Sequence, residues 1–174
     1  MVRLWRGLGV DEVEVRVGRA DDAEYVRQSL VELMAGTEVA GHGELIDATA
    51  LPVLVAWIAD ERVGHLTYRT DPVTGWEVVT IGSTRPGRGS GGALLDAVLD
   101  RARHAGATRV WLVTTNDNTG ALRFYQRRGF DLVRLDRDAV TRARETVKPA
   151  VPTHQDGIPM RHELELEWRP GDFV

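Results

Sequence analysis

The chain has 174 residues, 43% of them hydrophobic and 28% charged, with a formal net charge of −4 and no cysteine. This length suits one domain with a proper core, while the composition excludes disulfides, thiolate zinc sites and cysteine nucleophiles and gives no basic footprint for nucleic acid. The opening MVRLWRGLGVDEVEV has no continuous apolar core of a signal peptide, and the longest apolar run, LPVLVAWIA, is far below the ~18 residues of a membrane helix, so a cytoplasmic protein with no membrane contact is expected.

VEVRVG at 13–18 alternates like a strand, and RADDAEYVRQSLVELM at 19–34 has acids in its first turn and apolar residues at helical spacing. The stretch 35–50 has no clean period and carries three glycines, which predicts a loop. PVLVAWIA, VGHLTYR and WEVVTIG then read as three strands joined by short turns, an antiparallel meander. ALLDAVLDRARHAG puts Leu94, Leu95, Val98, Leu99 and Ala102 on one helical face and stops at Gly106. RVWLVTT follows as a strand. A strand, helix and strand in close succession form a right-handed crossover, which makes WEVVTIG and RVWLVTT parallel neighbours. NTGALRFYQRRGF is a helix capped by Asn118 and closed by Gly129 and Phe130; DLVRLD is a strand, DAVTRARETV a short helix before a proline-rich loop. In MRHELELEW, Met160, His162, Leu164, Leu166 and Trp168 share one face, and Glu163, Glu165 and Glu167 form a wet one. The fold class is a mixed α/β sheet, antiparallel at first and parallel in the middle, in a single domain over 1–174.

Between the third strand and the next helix, IGSTRPGRGSGGALL holds five glycines and two arginines. A glycine turn that opens a helix aims bare main-chain N–H groups at one point, and the helix dipole makes that point attractive to phosphate. Arg85 and Arg88 reach the same anion from the rim. A Walker P-loop fails, because Arg88 follows Gly87 where a Lys-Ser/Thr pair would be needed. Gly87, Gly89 and Gly92 do satisfy G-x-G-x-x-G, with Asp117 as a ribose-binding acid, so an NAD-type site is the rival reading. Against it, three strands precede the loop and little chain remains for a second half.

Arg88-Gly89-Ser90-Gly91 followed by ALL, and then by NDNTGALRFYQRRGF, resembles the GCN5-related N-acetyltransferase (GNAT) family, in element order over 13–136 and in motif detail over 76–130. The resemblance implies a strongly twisted mixed sheet whose central parallel strands splay apart to take acetyl-CoA, and an enzyme that acetylates a small-molecule or peptide amine. Gly89 and Gly91 match the last two marked positions of the family's phosphate loop, but its Gln/Arg position falls on Pro86. The implied cosubstrate contacts are main-chain groups near Ile81, the loop from Gly87 through Arg88, Gly89, Ser90 and Gly91 to Gly92, Arg85 in place of the missing side chain, and Asn118. Tyr125 matches the acid that protonates the departing thiolate; a phenol of ordinary pKa near 10 is protonated at neutral pH.

The base is a choice between Glu77, on a face read as shared with Val79 and Ile81, and His65 on the neighbouring strand; apolar neighbours would raise the carboxylate's pKa. His42 is placed beside the acceptor. No histidine pair has metal-ligand spacing, so no metal is expected. A non-catalytic acyl-CoA-binding module shares every feature except a need for Tyr125, and nothing in the sequence excludes a homodimer.

Overall fold

The computed structural model describes residues 12–171; the N-terminal stretch read for a leader lies largely outside them. Alternating valines make β1 (Val13–Val17), and the acids of the next turn lead through one 3₁₀ turn into α1 (Ala23–Met34). The stretch expected to be a loop is instead a hairpin, β2 (Glu38–Gly41) and β3 (Glu44–Asp47). Its two-residue turn puts His42 and Gly43 at φ of 52° and 76°, the left-handed pair that favours Asn-Gly, so His42 hides the signal.

The meander is formed by β4 (Val53–Ile58), β5 (Glu61–Asp71) and β6 (Gly75–Ser83), followed by α2 (Ser90–His104) and β7 (Val110–Thr115). The helix starts three residues before its apolar period does, because Ser90, Gly91 and Gly92 form its first turn. After α3 (Thr119–Gln126), the main-chain N–H of Phe130 bonds the Tyr125 carbonyl across Gly129, which has a φ of 84°. The chain then forms β8 (Asp131–Asp136), α4 (Ala139–Thr146), a small hairpin of β9 (His154–Gln155) and β10 (Ile158–Pro159), and β11 (Glu163–Trp168).

The main sheet runs in the order β1-β4-β5-β6-β7-β11-β8, with β6 and β7 parallel and the other pairs antiparallel. One face carries the larger core, where Leu94, Leu95, Val98 and Leu99 of α2 and Tyr125 of α3 pack on Leu66, Val78, Leu112 and Leu166. On the other face, Val26 and Leu30 of α1 pack on Val55 and Ala48. Among the described residues, no helix is long and apolar enough to cross a membrane.

The expected wet face of β11 is half dry: Glu163 is buried, and Arg109 covers Glu165 and Glu167 at 2.6 and 3.2 Å. On the α1 face His65 is fully buried, its Nδ1 is 2.8 Å from Ser29 Oγ, and its Nε2 has no partner. Burial lowers its pKa from 6.5 to about 4. The unfolded chain therefore takes up this proton first as pH falls, so stability present above pH 6.5 is lost between about 6.5 and 4, on the order of 3 kcal/mol in full. Urea unfolding of wild type and His65→Gln near neutrality and near pH 4 checks this. The wild type should lose more stability than the variant on acidification, and equal losses would show that His65 is not protonation-sensitive.

Candidate active site

The central parallel pair is short. Trp76, Glu77 and Val78 of β6 pair with Val110, Trp111 and Leu112 of β7, and there the ladder ends. β7 stays paired with β11 as far as Thr115, while β6 follows β5 as far as Ser83. The main-chain groups of β6 beyond Val78 that face β7 are left without a strand to pair, which is how an extended ligand gains hydrogen bonds from a sheet.

A bulge at Val79 adds a second consequence. Tyr68 pairs with Val78 and Thr67 with Thr80, so one extra residue reverses the alternation of β6. Ile81 therefore packs toward the α2 core, whereas Glu77 lies on the opposite face with Thr80 and Gly82. The shared face expected for Glu77, Val79 and Ile81 does not exist.

Past the bulge, Gly87 and Gly89 have φ of 81° and 84°, and a Cβ on either would meet nothing within 4 Å. Gly89 is the N-cap of α2 and supplies no side-chain cap, so the first-turn N–H groups of this 15-residue helix have no side-chain acceptor there. The loop is braced from inside. Ser83 Oγ donates to the Val63 carbonyl at 3.2 Å, accepts from the Arg85 N–H at 3.2 Å and lies 2.7 Å from Ser90 Oγ. Buried Ser90 thus spends its hydroxyl inside the protein. A Cβ on Gly91 would make ordinary van der Waals contact with the Phe124 ring at 3.7 Å, and one on Gly92 would have to displace the flexible end of Arg128. Arg85 pairs with Glu61, so the compensating contact expected of it competes with an ion pair, while Arg88 stands exposed on the loop.

Asn118 caps α3, its Oδ1 accepting from the Ala121 N–H at 3.2 Å. Tyr125 is buried, with ring contacts to Phe124 at 5.2 Å and Phe130 at 5.7 Å; its hydroxyl has no hydrogen-bond partner among the described residues. Burial pushes the phenol above its ordinary pKa. Glu77 is also buried, and desolvation raises its carboxyl above the usual range although Arg69 Nε donates to it and opposes the shift. Arg69 also reaches Glu44 of β3 at 3.1 Å. His65, the second candidate base, is sealed under α1 and cannot meet an acceptor. Asp117, the acid that the dinucleotide reading needs, is buried too.

His42 sits at the tip of the β2–β3 hairpin, its ring edge-on to Trp111 at 4.9 Å and its main-chain N–H donating to Glu163 Oε2 at 3.2 Å. Trp111 stands beside Glu77 in the parallel register, and both Trp111 Nε1 and His42 Nε2 are buried without partners. The fold thus gathers Glu77, Trp111, His42 and Glu163 on one face beside the end of the parallel ladder. Ser83, Trp111 and Glu163 were invisible as site residues, since only the sheet register brings them there. Asn116 was missed as well: its Oδ1 accepts from the Arg161 and His162 N–H groups at 2.9 and 2.8 Å, which ties the C-terminal segment to the end of β7.

The chain is 38% identical to the Bacillus subtilis (strain 168) protein YdhI over 105 residues, covering 60% of this chain and 64% of YdhI's length. Its fold is similar to that of an IAA acetyltransferase from Bacillus cereus ATCC 14579, with a TM-score of 0.72 at 19% identity, over 91% of this chain and 100% of that one. A Bacillus subtilis acetyltransferase in complex with CoA is similar at a TM-score of 0.67 and 18% identity, over 91% of this chain and 99% of that one. Residues 23–130 match the model of the Acetyltransferase (GNAT) family, to which the chain belongs.

Proposed function

We propose that the protein moves the acetyl group of acetyl-CoA to an amine. The observation that carries this reading is the end of the parallel ladder at Val78–Leu112, directly before a glycine loop whose left-handed residues face open space at a helix N-terminus. Main-chain N–H groups and a positive dipole end suit a pyrophosphate, so Gly87, Arg88 and Gly89 would hold that part of CoA. The unpaired main chain around Ile81 would align the pantetheine arm and polarise the acetyl carbonyl. Asn118 keeps its amide N–H₂ for the cosubstrate while its oxygen caps α3. A protein of similar fold is in complex with CoA, which supports CoA as the cosubstrate.

In the transfer, the amine nitrogen bonds to the carbonyl carbon, the C–S bond breaks, and the sulfur leaves with the electron pair. Glu77 takes the proton that the amine must shed, directly or through water. Its raised pKa brings it nearer to neutrality and makes it a better base than an ordinary carboxylate, and Arg69 holds it in the ionised form. Tyr125 gives its proton to the thiolate. Burial keeps the phenol protonated, and its unpartnered hydroxyl loses no internal hydrogen bond when it donates. Trp111, His42 and the hairpin around them form the acceptor's side of the sheet.

Calorimetry with acetyl-CoA, NAD and ATP tests the cosubstrate. Acetyl-CoA should bind far the most tightly, and Gly89→Asp should abolish binding without unfolding, because a carboxylate there meets the pyrophosphate. Tighter binding of NAD would sink the acetyl-transfer reading.

Tyr125→Phe should keep acetyl-CoA affinity and the ring's packing but lower kcat by about 10²–10⁴-fold, the usual worth of general acid catalysis. Unchanged turnover would make Tyr125 a packing residue, as a non-catalytic acyl-CoA-binding module would have it. Glu77→Gln should lower kcat/KM most near neutral pH, where the acceptor arrives protonated, and the defect should shrink as pH rises. A pH-independent defect would assign Glu77 to positioning of the acceptor through Arg69.

A further inference from the structure

One side of α3 and of the turn after it is polar except for Phe124, which packs on the edge of the larger core. Gly120, Arg123, Phe124, Arg127 and Arg128 recur at i, i+3, i+4, i+7 and i+8 and line an open cleft of about 520 Å³. A Cβ built on Gly91 would lie 3.7 Å from the Phe124 ring, so the cleft is close to the first turn of α2, beside the glycine loop. Arg128 forms its wall, 3.0 Å from Asp96 and stacked over Phe124 at 5.0 Å. Arg123 and Arg127 are different. Both are exposed, and neither side chain bonds or pairs with any described residue, whereas most arginines here are held by a carboxylate or a carbonyl.

Gly120 adds an independent observation. It stands in the first turn of α3 and lines the cleft, and a Cβ there would meet nothing within 4 Å. No protein atom requires the missing side chain, so it leaves clearance at the floor of the cleft. Two exposed guanidinium groups lining one open cleft suit a dianionic phosphate monoester, which a guanidinium can grip in bidentate fashion.

We propose that the Arg123–Arg127 face of α3 is a second anion subsite that binds the 3′-phosphate of CoA's ribose, so that the protein distinguishes CoA from 3′-dephospho-CoA. This rests on the acetyl-CoA reading above. CoA carries one phosphate monoester besides its pyrophosphate, and the cleft is adjacent to the loop proposed for the pyrophosphate. Gly87 and Gly89 would thus fix the position of the nucleotide, and α3 would verify its identity.

Calorimetric titration of the full chain with CoA and with 3′-dephospho-CoA, on wild type and on an Arg123→Gln/Arg127→Gln double variant, tests it. The wild type should bind CoA about 10- to 100-fold more tightly than the dephospho form, as hydrogen bonds to a charged group imply. The double variant should bind CoA no better than wild type binds the dephospho form, with affinity for the dephospho form unchanged. Equal wild-type affinities, or a variant that weakens both ligands alike, would overturn the subsite and leave the acetyl-CoA reading standing. Failure of the wild type to bind either ligand would overturn both. Adenosine 3′,5′-bisphosphate, which lacks the pantetheine, should show the same dependence on the two arginines; if only a phosphorylated acceptor showed it, the cleft would belong to the acceptor and the proposal would fall.

Discussion

Everything at this site depends on two parallel strands that part. A parallel ladder satisfies main-chain groups evenly along its length, so ending it after three residue pairs exposes polar groups that a sheet normally consumes. The fold tolerates this because each strand keeps its other neighbour: β5 pairs β6 beyond the parting point, and β11 pairs β7. The gap therefore lies between two supported edges, and a ligand that fills it meets a preorganised main chain.

The bulge at Val79 gives the gap two distinct sides. Without it, Glu77 and Ile81 would face the same core; with it, Ile81 turns toward α2 and Glu77 toward the β2–β3 hairpin. On the proposed reading the cosubstrate is held from the α2 and α3 side by glycines and arginines, and the acceptor is met from the other side by Glu77, Trp111 and His42. The charge distribution agrees with that division. Arg88, Arg123 and Arg127 stand on the side assigned to phosphates, and Glu77 and Glu163 are buried on the side assigned to an amine.

Much of the fold was legible because the period of apolar residues reports which element buries a face. The valines of β1, the leucines of α2 and the Asn118 cap of α3 all read correctly. What failed had physical causes that leave no periodic trace. The hairpin at 38–47 uses His42 where its turn geometry favours Asn or Gly, and a start of α2 at Ser90 was masked because Gly91 and Gly92 resemble loop residues. Both are helical here with φ outside the left-handed region, and their neighbours Phe124 and Arg128 come from about thirty residues further on, a distance over which local composition carries no information. The bulge is invisible for the same reason. WEVVTIG alternates well enough to pass for a regular strand, and only pairing with β5 reveals the extra residue.

The titratable groups show the same limit from the side of chemistry. His65 and Glu77 are indistinguishable as candidate bases in sequence, each one polar residue in an apolar strand. Burial moves their pKa values in opposite directions, because desolvation disfavours the charged form of each: it leaves His65 neutral and raises the Glu77 carboxyl. What separates them functionally is the element laid over each. α1 seals His65 against Ser29, 2.8 Å from its Nδ1, and leaves the ring fully buried. Glu77 lies under a short hairpin that is pinned by His42 on Trp111 and Glu163 and by Val39 on the second core, and its own tie to that hairpin runs through Arg69 and Glu44, a half-exposed pair of long side chains. Such a surface pair contributes little to stability, so this one tie between Glu77 and the hairpin is inexpensive to break. On the proposed reading an acceptor would reach the carboxylate by displacing the exposed Arg69–Glu44 pair, while the hairpin stays anchored by His42 and Val39.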